Sequence, residues 1–367
     1  MSAMLTYLAP IVRSGKTFYG LQALFAQAFQ ALDKPANWAI CRTASDDGPA
    51  RRLAATPLNG RQSTPEDATD MADTAPYHDR DGSIWYDGKL VPWREANLHV
   101  LSHGLHYASA VFEGERAYGG VIFELTQHSQ RLSEGAKTMD FTIPYSVAEI
   151  DQACRDVIKA NKLTDCYVRP IAWRGSEMMG VSAQSTKIHL AIAAWDWGSY
   201  FPMEQRLKGI RMTIAQYRRP DPATAPAKTK AAGLYMICTL EKHRAERMGY
   251  ADALMYDWRG HVAECTGANI FLIKDGVLHT PTPDCFLDGI TRRTVIGLAQ
   301  KRGRKVVERT ILPDELGSFS ECFIVGTAAE VTPVSEIGEH KYQPGQICET
   351  LINDYSAAVQ PKKAAAE

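Results

Sequence analysis

The sequence predicts an α+β protein built as two domains. At 367 residues, 45% of them hydrophobic and 23% charged, the chain is long enough for two cores and has an ordinary globular composition. From Ser83 onward, short strands with hairpin turns are mixed with helices instead of alternating with them, the pattern of an α+β fold. The run Trp197-Gly198-Ser199-Tyr200-Phe201-Pro202 then breaks that pattern, as a connection between domains would. The expected division is an N-terminal extension (1–75), a small α+β domain (76–197), a connection (198–206), a large domain (207–358) and a tail (359–367).

In the extension, Phe18, Leu21, Leu24, Phe25, Phe29 and Leu32 fall on one helical face. Residues 46–74 are rich in Ala, Asp, Pro, Thr and Arg and read as coil, with Met71 as the expected true start of translation. Ile84-Trp85-Tyr86, the turn Asp87-Gly88 and Leu90-Val91 make a hairpin. Leu98–Leu101 and Ala110–Phe112 read as strands around Ser102–Tyr107. A helix is expected from Thr126, taken as its cap, to Thr138, and another over Val147–Lys162 that buries Ile150, Ala153, Val157 and Ile158. Strands follow at Cys166–Trp173 and Lys187–Trp195.

Past the break come a strand (Ile210–Ala215), a loop rich in Arg and Pro, and a helix from about Gly233 to Met248. The strands Ala251–Tyr256, Asn269–Lys274 and Val277-Leu278 follow, the last two joined by the turn Asp275-Gly276. Gly289–Arg302 is a helix, Lys305–Val307 and Cys322–Val325 are strands, and Ile347–Ala357 is the closing helix.

A formal net charge of −1 gives no electrostatic case for nucleic acid or an anionic membrane. No apolar run is long enough to span a bilayer. Eight cysteines without a CxxC pair argue against a zinc centre or a disulfide framework, so no metal is expected and a reducing, cytoplasmic setting is.

The chemistry centres on Thr224–Tyr235, where Lys230 is followed by small residues and then by Tyr235. Small residues admit a flat ring, and a desolvated lysine amine is a nucleophile. Alone, this is an ordinary lysine in a loop before a helix, and Lys228 competes with it. Other stretches supply what a phosphate-bearing cofactor needs. Leu287-Asp288-Gly289-Ile290-Thr291 opens a helix whose free N–H groups suit an anion, and Gly326-Thr327-Ala328-Ala329 follows a strand as a second set. Arg131 offers a guanidinium, and Glu264 a carboxylate able to keep a pyridine nitrogen protonated. Each has a plainer reading, as a capped helix, a strand-end turn, a solvated arginine or a loop glutamate.

Together with His103-Gly104-Leu105-His106-Tyr107, Val111-Phe112-Glu113-Gly114, Tyr167-Val168-Arg169-Pro170 and Gly326–Pro333, these stretches stand in order in a chain that resembles the branched-chain aminotransferase group of fold-type IV pyridoxal phosphate enzymes. The resemblance covers about Tyr77 to Ile352. It implies a pyridoxal 5'-phosphate cofactor between the domains of an aminotransferase-like fold, with Lys230 holding it covalently and moving the proton. Tyr235 would meet the ring oxygen and Glu264 the ring nitrogen, while Arg131, Leu287, Ile290, Thr291 and Thr327 would surround the phosphate.

For the substrate, the resemblance implies an apolar wall of Tyr107, Phe112, Tyr167, Trp197 and Tyr200. Arg169 would meet the side-chain carboxylate of glutamate, Arg116 would also contact substrate, and the Thr327-Ala328 amides with Tyr167 would take the α-carboxylate. The implied activity is ping-pong transfer of the amino group of L-leucine, L-isoleucine or L-valine to 2-oxoglutarate, by a homodimer in which a loop of one subunit nears the other's site. Rivals on the same fold are a D-amino acid or (R)-amine transaminase and an aminodeoxychorismate lyase. The chain departs from the family pattern at Glu115, Ala232, Leu234 and Met178–Val181.

Overall fold

The computed structural model describes residues 75–197 and 208–361. The extension through residue 74, the expected connection at 198–206 with Tyr200, and residues 362–367 lie outside them.

The first hairpin, β1 (Ser83–Tyr86) and β2 (Lys89–Pro92), turns through Asp87 (φ 47°) and Gly88 (φ 95°), the pair of positive φ values that fits two twisted strands together. Residues 98–101 are not strand, and the segment after them is a short helix, α1 (His103–Tyr107). It leads into β3 (Ala110–Phe112), β4 (Glu115–Tyr118) and β5 (Val121–Ile122).

Helix α2 (Leu125–Thr138) starts after Glu124, which adopts φ 52°, so the expected cap Thr126 lies inside the helix. Its hydroxyl instead donates to Asp151 at 2.6 Å. That carboxylate belongs to α3 (Val147–Ala160), whose cap is reciprocal: Ser146 Oγ accepts from Glu149 N, and Ser146 N donates to Glu149 Oε2. The expected face of α3 is buried, with Ile150 and Val157 at 0% exposure. Strands β6 (Cys166–Arg174) and β7 (Ile188–Asp196) complete an antiparallel sheet in the order β2-β1-β7-β6-β4-β5, with β3 also paired to β6. Leu132, Ile150, Val168, Leu190 and Ile192 make its core with α2 and α3.

After β8 (Ile210–Ile214) the chain passes through the lysine segment into a short 3-10 turn and α4 (Tyr235–Arg247). Then follow β9 (Asp252–Tyr256), β10 (Val262–Cys265), β11 (Asn269–Lys274), β12 (Val277–Pro281), α5 (Ile290–Lys301), β13 (Val306–Arg309), β14 (Glu321–Gly326), β15 (Glu330–Ile337), β16 (His340–Lys341) and α6 (Gln346–Val359). The second sheet runs β10-β9-β8-β15-β14-β11-β12-β13, with β16 on β15.

Its central strands bury both faces. Ile270, Leu272 and Ile324 point into one core, while Phe271, Ile273 and Phe323 point into another beneath α5 and α6. Alternate residues of a strand face opposite ways, so a strand buried on both sides must be apolar throughout. The two sheets meet along the lysine segment. Ala231 bridges Val111 of β3, and Phe112 N donates to Lys230 O at 3.2 Å.

Candidate active site

The backbone bond between β3 and the lysine segment fixes where the amine points. Lys230 Nζ donates to Tyr235 Oη at 2.9 Å and lies 4.7 Å from the centre of the Phe112 ring. Burial pushes the amine's pKa down; nearby Glu113 pulls it up and Arg131 pushes it down again. Lys228 is exposed, whereas Lys230 lines the pocket.

One pocket is lined by Arg131, Lys230, Tyr235, Glu264, Leu287, Ile290, Thr291 and Thr327, so all eight residues expected around a cofactor come together. Two anion cradles face it: the start of α5 after Gly289, and the turn that leaves β14 at Gly326. Arg131 is held rigidly beside them. Its Nε and Nη2 donate to the two oxygens of Glu113 at 2.7 and 2.8 Å, and His128 Nδ1 lies 2.7 Å from the same carboxylate. Burial would raise the Glu113 pKa, but Arg131 and His128 outweigh it and hold the carboxyl well below its usual range. A fixed arginine flanked by free helix amides is the chemistry of a phosphate site.

Opposite lies Glu264. It stands on β10, at an irregularity in the pairing with β9 between Val262 and Glu264 that turns its side chain toward the pocket, where a loop position was expected. Burial lifts its pKa to about 7, against the pull of Arg219 and Lys230. Arg219 Nε lies 3.2 Å from Glu264 Oε1, and Asn269 Nδ2 donates to Glu264 Oε2 at 3.3 Å and to Leu287 O at 3.0 Å.

A buried carboxylate with a steep desolvation cost welcomes a cationic ring nitrogen, and the space beside Gly267 is open to where a Cβ would reach. Amine, carboxylate and twin anion cradles therefore fit a pyridoxal phosphate ring and its phosphate. Arg219, Asn269 and Cys238 were not legible as site residues. Arg219 sits in a loop beside exposed Arg218, and nothing local distinguishes the buried arginine from its neighbour.

A second pocket adjoins the first, sharing Lys230 and Tyr235 and adding Phe112, Tyr167, Arg169 and Ala328. Arg169 Nη2 donates to Tyr167 Oη at 3.1 Å, and its guanidinium rests 5.0 Å from the Phe112 ring centre. The Tyr167 ring is packed between Trp195 at 5.4 Å and Trp197 at 5.3 Å; Trp195 is an addition to the expected wall.

Of the expected substrate residues that the structure describes, Thr327 lines the first pocket, Trp197 only backs the Tyr167 ring, and Tyr107 and Arg116 lie elsewhere. Tyr107 is 45% exposed, stacks on His103 at 4.5 Å and donates to Met179 O at 3.2 Å. Arg116 is buried elsewhere, its Nη1 3.0 Å from Glu330 Oε1. His103 and His106 are tied to the carbonyls of Gly180 and Val100 at 3.0 and 2.9 Å, in keeping with structural roles.

A two-sheet α+β fold with a buried lysine between a carboxylate and paired anion cradles defines an enzyme of amino-group transfer. Residues 110–337 match the model of the amino-transferase class IV family, and the chain belongs to it. It is 43% identical over 291 residues to the branched-chain-amino-acid aminotransferase of Pseudomonas aeruginosa, covering 77% of this chain and 95% of that one. The structure is similar to the T.th. branched-chain amino acid aminotransferase with pyridoxamine 5'-phosphate, at TM-score 0.74 and 37% identity, over 77% of this chain and 95% of the other. It is also similar to the same enzyme complexed with N-(5'-phosphopyridoxyl)-L-glutamate, at TM-score 0.73 and 36% identity, over 76% and 94%.

Proposed function

We propose that this transaminase uses pyridoxal 5'-phosphate to move the amino group of L-leucine, L-isoleucine or L-valine to 2-oxoglutarate. The observation that carries this reading is the adjoining pair of pockets that share Lys230 and Tyr235. One is equipped for a phosphate and a protonated ring, the other for an apolar side chain beside Arg169. The names of the P. aeruginosa and T.th. relatives support the branched-chain donor, and the glutamate derivative of the latter supports the acceptor.

When bound, the cofactor supplies an electron-withdrawing ring that stabilises negative charge at the substrate's α-carbon. The chain does the rest. Lys230, its charge disfavoured by burial, is the base that takes the α-proton and returns it during the exchange. Tyr235 holds the amine within 2.9 Å and directs it. Glu264, kept in place by Arg219 and Asn269, favours a protonated ring nitrogen. Arg131, Thr291 and Thr327 with the Leu287–Ile290 backbone hold the phosphate.

In the second pocket, Phe112 and Tyr167, the latter backed by Trp197, exclude water from an aliphatic side chain. Arg169 meets the side-chain carboxylate of glutamate, and the Thr327-Ala328 backbone receives the α-carboxylate. We further read 76–197 and 207–358 as the two domains. The working unit is read as a homodimer, supported by exposed Leu98, Val100, Leu105 and Val181 around α1 and the loop before β7. A cytoplasmic setting is supported by seven buried cysteines among the described residues, none of them in a disulfide.

The test is the visible absorbance band of the cofactor-loaded protein. Adding L-leucine alone should bleach it and 2-oxoglutarate should restore it. Bleaching by D-alanine but not L-leucine, or release of pyruvate from aminodeoxychorismate, would replace this reading with one of its rivals on the same fold.

A further inference from the structure

Arg116 and Glu330 stand apart from both pockets, yet both are charges held out of solvent, with side chains 9% and 11% exposed. Arg116 lies on β4 of the first sheet and Glu330 opens β15 of the second. Glu330 adopts φ 52°, a left-handed conformation that glycine or asparagine takes readily and glutamate does not. It comes directly after Thr327-Ala328-Ala329, so its backbone sets how that turn leaves β14 and re-enters the sheet. Its side chain is held by Arg116 Nη1 at 3.0 Å and by Tyr118 Oη, which donates at 3.1 Å. Tyr118 packs in one core cluster with Tyr355 of α6, whose hydroxyl lies close to Thr291 at the start of α5.

Both anion cradles are therefore tied to one buried chain of contacts anchored on β4. We propose that Arg116 and Glu330 are positioning residues: their ion pair across the two sheets holds the 327–329 turn and, through Tyr118 and Tyr355, the Thr291 end of α5, in register for the cofactor's phosphate. Arg116 thus acts on the phosphate through Glu330 and does not touch substrate.

This inference rests on the pyridoxal phosphate reading above. The experiment compares the affinity of the full-length chain, stripped and refilled, for pyridoxal 5'-phosphate and for pyridoxal, which lacks the phosphate. Wild type should prefer the phosphorylated aldehyde strongly. R116M and E330Q should each lower that preference by about tenfold, the size of one charge-assisted hydrogen bond lost from the cradle, and KM for L-leucine should rise along with it, because the same turn receives the α-carboxylate.

E330G relieves the backbone conformation but deletes the carboxylate. It should lose the same preference, which separates the ion pair from the strain. The ratio is internally controlled, because a misfolded variant loses affinity for both aldehydes. If R116M does not fold, E330Q, with the same shape and no charge, carries the test. An unchanged preference in a folded E330Q, or a rise in leucine KM with preference intact, would overturn the proposal. A wild type with no preference would instead overturn the reading of the pocket itself.

Discussion

Glu264 carries two opposed demands, and its titration separates them. Burial raises its pKa from 4.5 to about 7 in the folded chain without cofactor. A group that holds its proton more tightly when folded loses stability for the fold as pH rises, because the unfolded chain sheds the proton first. The loss begins near the unfolded pKa and is complete above the folded one. At ~1.4 kcal/mol per tenfold change, the displacement amounts to ~3 kcal/mol. Cofactor-free wild type should therefore lose ~3 kcal/mol relative to E264Q between pH 4 and pH 8, measured by urea unfolding at a series of pH values. A constant difference across that range would mean the carboxyl is solvated. Glutamine cannot pair with a ring cation, so the loaded variant should transaminate far more slowly even where it is more stable. Lys230, Glu264 and Arg131 each had a plainer reading alone and were legible through the family motifs that stand in order around them. Arg219 was not, since its task is to hold Glu264 and only the folded chain brings the two within 3.2 Å.

At the scale of elements, the strand pair β3–β4 does for the substrate pocket what β10 does for the ring. Gly114 joins the two strands, and a Cβ there would lie 1.9 Å from Tyr167 Oη. The tyrosine can yield only by shifting against Trp195 and Trp197, on which its ring packs. G114A should therefore displace the hydroxyl that receives Arg169 and lower kcat/KM for L-leucine by about a hundredfold, the cost of a misplacement near 1 Å. The cofactor's visible spectrum should stay unchanged; a changed spectrum would place Gly114 in the cofactor pocket instead.

The hairpins at Asp87-Gly88 and Asp275-Gly276 and the capped α3 could be read from sequence because their signals are local. Strand β15 could not. It carries Pro333, is buried on both faces and so shows no alternation, and its first residue takes a left-handed turn. The start of α2 was misplaced for a related reason. Thr126 has the chemistry of a cap, but Asp151 on the next helix claims its hydroxyl.

Across the whole molecule, the pocket belongs to neither sheet alone. Lys230 is laid against β3 of one sheet while Glu264, Thr291 and Thr327 come from the other, so a ligand filling the pocket ties the two together. Anything that binds the folded chain and not the unfolded one stabilises it by mass action, about 2.7 kcal/mol at a hundred times Kd. Pyridoxal 5'-phosphate should accordingly raise Tm in proportion to the logarithm of its concentration. K230A removes the covalent attachment proposed for Lys230 but leaves Arg131, both cradles and Glu264 in place, so it should keep a smaller, still concentration-dependent rise. Pyridoxal should stabilise K230A hardly at all, because without lysine or phosphate only the ring contacts remain. If K230A gained nothing from the phosphorylated aldehyde, the cradles would not be binding the phosphate. The energy of cofactor binding would then reside in the lysine bond, and the arrangement of α5 and the 326–328 turn would need another explanation.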